Sequence, residues 1–184
     1  ETGLTVIDYS LADGPAIVTL DVLKNGVSIG RKAIASAAGD VNELVSGKTG
    51  KIYWQPRGVD GIGDAKSGEL EFRVKAWRKG APPDYMVVDL RNRRRRYYYE
   101  SEDDLPYGIG SPRYRVNLIV MRKIPAAGVT WRMGAPASEA PGSQSKAGTT
   151  IKYADQEIPH YVGLSDDYYM AIYPVTQYQC KLLI

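Results

Sequence analysis

The stretch Glu69-Leu70-Glu71-Phe72-Arg73-Val74-Lys75-Ala76-Trp77 decides the fold class. Leu70, Phe72, Val74 and Ala76 alternate with Glu71, Arg73 and Lys75, which is the period of two that gives a β-strand one apolar and one polar face. Working outward, Ala16, Val18, Leu20 and Val22 repeat the pattern, and Lys24-Asn25-Gly26-Val27 ends it with a hairpin turn. Asn-Gly accepts the positive φ that a tight turn needs. Lys51-Ile52-Tyr53-Trp54-Gln55 runs into Pro56, and Tyr85–Leu90 follows the turn at Pro82-Pro83. About six or seven strands fit before residue 90, the density of a small antiparallel β-sandwich of immunoglobulin or fibronectin-III character. The predicted fold class is therefore mainly β, with residues 1–90 as a β-sandwich module.

Composition narrows the function classes. The chain has 184 residues, a formal net charge of +3, 43% hydrophobic and 24% charged residues, as in globular domains. No apolar run approaches the roughly 18 residues of a membrane span. With one cysteine, Cys180, and one histidine, His160, the chain holds no internal disulfide and no multi-Cys/His zinc site. Glu1-Thr2-Gly3 leads at once into the strand-like Leu4–Tyr9, so the reading expects a chain that starts inside a longer gene product or carries added residues. No signal peptide is visible, which says little if the true N-terminus lies elsewhere.

Between Arg91 and Pro112 the composition changes. Arg93–Arg96 are followed by three tyrosines at 97–99, by Glu100, Glu102, Asp103 and Asp104, and by Pro106, Gly108 and Gly110. Residues 91–113 read as a charged and aromatic connector. A second unit, 114–184, opens with Val116, Leu118 and Val120 in alternation, and its stretch Ala135–Thr149 reads as an exposed loop.

That second unit carries three blocks. Ile124-Pro125-Ala126-Ala127-Gly128-Val129-Thr130-Trp131-Arg132-Met133-Gly134-Ala135 comes first, with Glu139 soon after. Glu157-Ile158-Pro159-His160-Tyr161-Val162-Gly163-Leu164 is second, and Asp167–Gln179 (DYYMAIYPVTQYQ) is third. In order and spacing they resemble the opening of the formylglycine-generating-enzyme, or sulfatase-modifying-factor, family, over roughly residues 121–184. The second block is one residue shorter than the usual spacing; Ala135 replaces Ser, Pro174 replaces Glu, and Cys180 stands where an aromatic is usual. The third block also reads physically: Tyr168, Met170 and Ile172 share a strand face, and Thr176 caps a helix over Gln177–Leu183. That helix is barely two turns long where the sequence stops at Ile184, so the reading expects a truncated domain.

The resemblance implies the start of an α+β, C-type-lectin-like domain behind the sandwich, as in secreted multidomain bacterial proteins. Active members oxidise a sulfatase cysteine to formylglycine with oxygen and copper. Copper sits on a pair of cysteines, since soft Cu(I) selects thiolate. This sequence contains no such pair, so no catalytic, cofactor-binding or metal residue is assigned to it, and copper, with calcium as a further candidate, belongs to active full-length relatives. A sulfatase or other protein is the implied substrate partner, and an extracytoplasmic location the implied compartment. The alternative is a non-catalytic secreted binding or adhesion module.

Other features read as structural. Cys180 is expected as a small buried apolar residue, and His160 as a packing residue of the first strands. The arginine run beside Tyr97–Tyr99 fits a single-strand nucleic-acid binder on paper, but Glu100–Asp104 offers local neutralisation, so a paired or solvated connector is the stronger reading. Asp166-Asp167 and Glu102-Asp103-Asp104 have oxygen ligands suited to calcium, yet match no EF-hand spacing and read as loop charge. Gly61-Ile62-Gly63 is too short for a phosphate cradle.

Overall fold

The computed structural model describes residues 3–56, 62, 68–134, 144–146, 149–151 and 159–184. It is mainly β, with several antiparallel sheets. The first strands are β1 (Thr5–Ser10), β2 (Ala16–Lys24) and β3 (Val27–Ser28). A single helical turn α1 (Arg31–Ile34) precedes β4 (Ala37–Gly39), β5 (Glu43–Val45), β6 (Thr49–Trp54) and β7 (Leu70–Arg78). There follow β8 (Tyr85–Asp89), β9 (Arg95–Tyr99), two 3-10 turns at Glu102–Asp104 and Pro112–Arg115, and β10 (Leu118–Ile124). The remainder comprises β11 (Thr130–Met133), β12 (Gln144–Lys146), β13 (Thr149–Ile151), β14 (His160–Gly163), β15 (Tyr168–Ala171) and α2 (Gln177–Leu183). By contacts the chain forms two units, Glu1–Lys123 with Tyr169–Ile184, and Ile124–Tyr168.

The first unit contains two cores. In one, β2 pairs with β7 over its whole length, from Ala16 opposite Arg78 to Lys24 opposite Leu70, while β3 and β5 share its other edge. A second sheet places β6 between β1 and β4. Val18, Leu20 and Val22 from β2, Ile52 and Trp54 from β6, and the partly buried Leu70, Phe72 and Val74 from β7 form one apolar cluster. The alternation read in the sequence thus selects the inward side chains. Each large one contributes about 1.5–3 kcal/mol through burial. Trp54 donates its indole N–H to the Ala33 carbonyl at 3.2 Å and meets Phe72 edge-on, with centroids 5.1 Å apart. Opposite Tyr9 in the β1–β6 pair stands Gly50, where an added Cβ would lie 2.2 Å from the tyrosine hydroxyl. The ring crosses that gap, and its hydroxyl donates to the Asp40 carbonyl at 2.8 Å.

The far face of β2 is buried as well: Ile17, Thr19 and Leu23 are as enclosed as the core side chains. Its cover comes in part from residues that the sequence assigned to a connector. Thr19 Oγ1 donates to Glu100 Oε1 at 2.7 Å and accepts the Trp77 indole N–H at 2.9 Å. Lys75 pairs with the same Glu100, and the Tyr98 amide donates to the Asn42 carbonyl at 2.6 Å. Trp77 and Thr19 make this face of β7 half-buried at its end, and Ala76, expected inward, is exposed.

In the second core β8 lies between β9 and β10, and β15 flanks β10 on its other side. Val87, Tyr99, Leu105, Tyr114, Leu118 and Val120 pack together, joined by Ile172 and Tyr173. Residues 91–113 are therefore not a spacer between modules. They contribute β9, a 3-10 turn and the buried Tyr99 and Leu105, and the contact units divide at Ile124 and Tyr168 rather than at 90 and 113. Arginines and acidic residues occupy the turns of this segment, but its tyrosine and leucine side chains supply the apolar area that packs it down. The second unit pairs β11 with β14 and β12 with β13. The expected loop 135–149 lies mostly outside the described residues; its residues 144–146 form β12, and Thr149 opens β13.

Candidate functional site

The three sequence blocks are joined by specific bonds. In β11 and β14, Thr130 faces Gly163, Trp131 faces Val162, Arg132 faces Tyr161 and Met133 faces His160, so the first two blocks form one antiparallel pair. A separate parallel bridge joins Ala127 to Leu164. Asp167, which opens the third block, accepts the backbone N–H groups of Ala126 and Ala127 through Oδ1, each at 3.0 Å. One carboxylate oxygen thereby fixes the Ile124-Pro125-Ala126-Ala127 entry. Asp166 accepts the Ser165 hydroxyl at 2.7 Å. Both carboxylates serve local structure, and among the described residues no group of three His, Cys, Asp or Glu is placed to hold a metal ion.

The third block continues into α2 within the first unit. Thr176 Oγ1 accepts the Gln179 amide at 3.2 Å and Gln179 Oε1 accepts the Thr176 amide at 2.9 Å, a reciprocal capping box. The expected cap is present. Less legible was the other end of the Gln179 side chain: it is 1% exposed, and its Nε2 donates to the carbonyls of Tyr114 at 3.0 Å and Leu118 at 2.7 Å. Thr176 adds a donation to the Arg115 carbonyl at 3.0 Å. The Thr-x-x-Gln spacing signalled the box, but nothing local signalled the pair of distant carbonyls.

Cys180, expected buried, is exposed, because the inward position of α2 belongs to its neighbour Gln179. His160 is exposed at the start of β14. Tyr168 and Met170 are likewise exposed, whereas Ile172 packs into the second core. Of the Gly61-Ile62-Gly63 stretch only Ile62 is described, and it is a buried member of the first core. Glu139, Glu157 and Ile158 lie outside the described residues.

The arginine run forms the hairpin between β8 and β9. Arg91 through Arg96 are all exposed, and Arg95 N donates to the Asn92 carbonyl at 2.9 Å across a turn in which Arg93 and Arg94 have φ of 50° and 58°. Asp89 Oδ1 braces it from below by accepting the Arg91 and Asn92 amides at 3.0 and 3.3 Å. Arg95 grips Glu43, with Nε to Oε2 at 2.6 Å, and lies over the Tyr97 ring; Arg91 donates to the Tyr178 hydroxyl at 2.9 Å, and Arg94 to the Leu183 carbonyl at the end of α2. The acidic run Glu100–Asp104 takes no part in neutralising these arginines. Glu100 serves Thr19 and Lys75, and Asp104 accepts the Ser101 amide and hydroxyl at 2.9 and 2.7 Å. Burial raises the Asp104 carboxyl above its usual range, and Asp21 and Glu100 add to the rise.

Asp104 lines a hollow with Asp21, Glu100, Ser28, Ser101 and Asn42. Its carboxylates are already engaged by neighbours, Asp21 by the Ser28 hydroxyl at 2.6 Å. Asn42 is buried, and its Oδ1 has no hydrogen-bond partner among the described residues. Its φ of 59° is one that Asn accepts more readily than most residues. Among the described residues no helix is long and apolar enough to cross a membrane. Searches against protein-family models, curated proteins and solved structures found no match for this chain.

Proposed function

We propose that this chain is the accessory β-sandwich and the opening segment of a formylglycine-generating-enzyme-like protein, acting as scaffold while the copper-thiolate chemistry is supplied by residues other than its own. The observation that supports this most is the assembly of the motif blocks. Thr130–Met133 and His160–Gly163 pair residue by residue, and Asp167 fastens the Ala126-Ala127 entry. Side-chain-to-backbone clasps of this kind fix chain entry where local propensity is weak, which suits a framework on which later segments are laid. On this reading the two-layer packing of residues 5–78 is the immunoglobulin- or fibronectin-III-like module, the pairs of residues 124–168 begin the lectin-like fold, the substrate is a sulfatase cysteine, and the compartment is extracytoplasmic. The lone, exposed Cys180 has no second thiol to complete a Cu(I) pair.

The test is conversion of a peptide carrying a sulfatase cysteine motif. Cysteine, dioxygen and two electrons with two protons from a dithiol give the aldehyde, hydrogen sulfide and water, read as a mass loss. The gene product that contains this chain, loaded with copper, should convert the peptide, and the 184-residue chain alone should not. If the gene product fails under conditions in which an authentic formylglycine-generating enzyme succeeds, the non-catalytic binding module takes its place.

A further inference from the structure

The turn at Asn92–Arg95 places Arg at both central positions, where positive φ ordinarily selects Gly, Asn or Asp. The other tight hairpin in this unit, between β2 and β3, uses Asn25 and Gly26 at φ of 50° and 79°. Backbone geometry therefore does not account for arginine at 93 and 94, and an unfavoured conformation that persists points to what the side chains do. Arg94 has a structural task on the Leu183 carbonyl, Arg91 on Tyr178 and Arg95 on Glu43. Among the described residues, the guanidinium groups of Arg93 and Arg96 meet no acceptor, and both residues are exposed.

The chemistry of this tip selects its ligand. The cluster is all arginine without a lysine, and the planar guanidinium fork binds tetrahedral oxyanions through two parallel N–H bonds. Single-stranded nucleic-acid binders add base stacking on aromatic faces to the charge contacts. Here the neighbouring rings are engaged: Tyr99 is buried, Tyr97 lies half-buried beneath Arg95, and Tyr98 meets Tyr169 edge-on at 6.4 Å. Charge without free rings favours a flexible polymer that carries oxyanions and no bases. Guanidinium is weakly hydrated, and it pairs better with weakly hydrated sulfate esters than with strongly hydrated carboxylates. We propose that the Arg91–Arg96 hairpin tip binds a sulfated polysaccharide, with Arg93 and Arg96 making the direct contacts and Arg91 and Arg94 adding field and their remaining donors. This stands apart from the function proposed above, since it uses neither the motif blocks nor thiol chemistry.

The experiment titrates the full chain with dextran sulfate, hyaluronate and oligothymidylate by calorimetry from about 50 to 200 mM salt. Dextran sulfate should bind most tightly, with an affinity that falls as salt rises. The double variant Arg93→Asn/Arg96→Gln should bind dextran sulfate about tenfold more weakly, with a salt slope reduced by about one per arginine removed. Asn at 93 keeps the left-handed backbone, and the thermal midpoint verifies folding. Lys48→Gln/Lys79→Gln removes the same charge from exposed sites and should leave binding nearly unchanged. The proposal is overturned if the arginine variant binds like the parent, if the lysine variant loses as much, or if hyaluronate or oligothymidylate binds more tightly than dextran sulfate.

Discussion

The two cores of the first unit are built on different principles. Around β2 the cluster is aliphatic, with Trp54 and Phe72, and comes from strands in which alternate residues face inward. Around β10 the cluster contains Tyr99 and Tyr114, borders on Tyr85, Tyr97 and Tyr173, and adjoins a fully buried Gln179 that bonds three backbone groups. The first is held by apolar contact and accepts exchanges of equal volume; the second depends also on a buried polar side chain whose partners are backbone groups. That difference makes opposite predictions for substitutions that conserve volume.

The largest effect should come from Gln179→Leu. The side chain is nearly isosteric, yet it leaves the Tyr114 and Leu118 carbonyls and the Thr176 amide without their partner, which should cost about 3 kcal/mol in urea unfolding. A neutral result would show that the second core is held by packing alone, like the first. Thr19→Val tests the seam between β2 and residues 98–105. It strands Glu100 Oε1 and the Trp77 indole N–H and should cost about 1–2 kcal/mol by the same assay.

Tyrosine content sets the response to alkali. Burial pushes the Tyr114 and Tyr9 hydroxyls up to about 12 and raises those of Tyr99 and Tyr169 too. A phenol whose folded pKa lies above its unfolded value of about 10 supports the native state fully below pH 10 and loses that support as pH climbs to the folded value. Stability should therefore drop between pH 10 and about 12, measured as urea midpoints across that window. Tyr114→Phe removes a buried hydroxyl whose pKa burial raises, so it should flatten the alkaline drop. Smallest is Arg93→Asn, which eases the left-handed turn and should raise stability by a few tenths of a kcal/mol in the same titrations, while the first core is unaffected.

The same contrast explains what could be read from sequence. Val18, Leu20, Val22, Phe72 and Val74 declare their faces by period two, and Asn25-Gly26 declares its turn, so the first core was legible. Residues 91–113 were not, because runs of arginine and acid hide the spacing of Tyr99 and Leu105, whose partners Leu118, Val120 and Ile172 lie beyond or across an intervening unit. The cap at Thr176 was plain from four residues. Cys180 was misjudged by one helical position, since the polar Gln179 beside it takes the inward direction that an apolar residue would normally hold.

Synthesis of the chain meets these cores in unequal ways. The hydrophobic cluster around β2 has all its members by Val74, so it can collapse while the rest is still being made. The strand β10 must wait, because its neighbour β15 and the Gln179 clasp arrive only after residues 124–168 have been added. During that interval a nascent chain presents one apolar strand with an open edge, the kind of surface that recruits chaperones or a second copy of itself. Slower elongation through residues 124–168 should therefore lengthen the time for which that edge stays open.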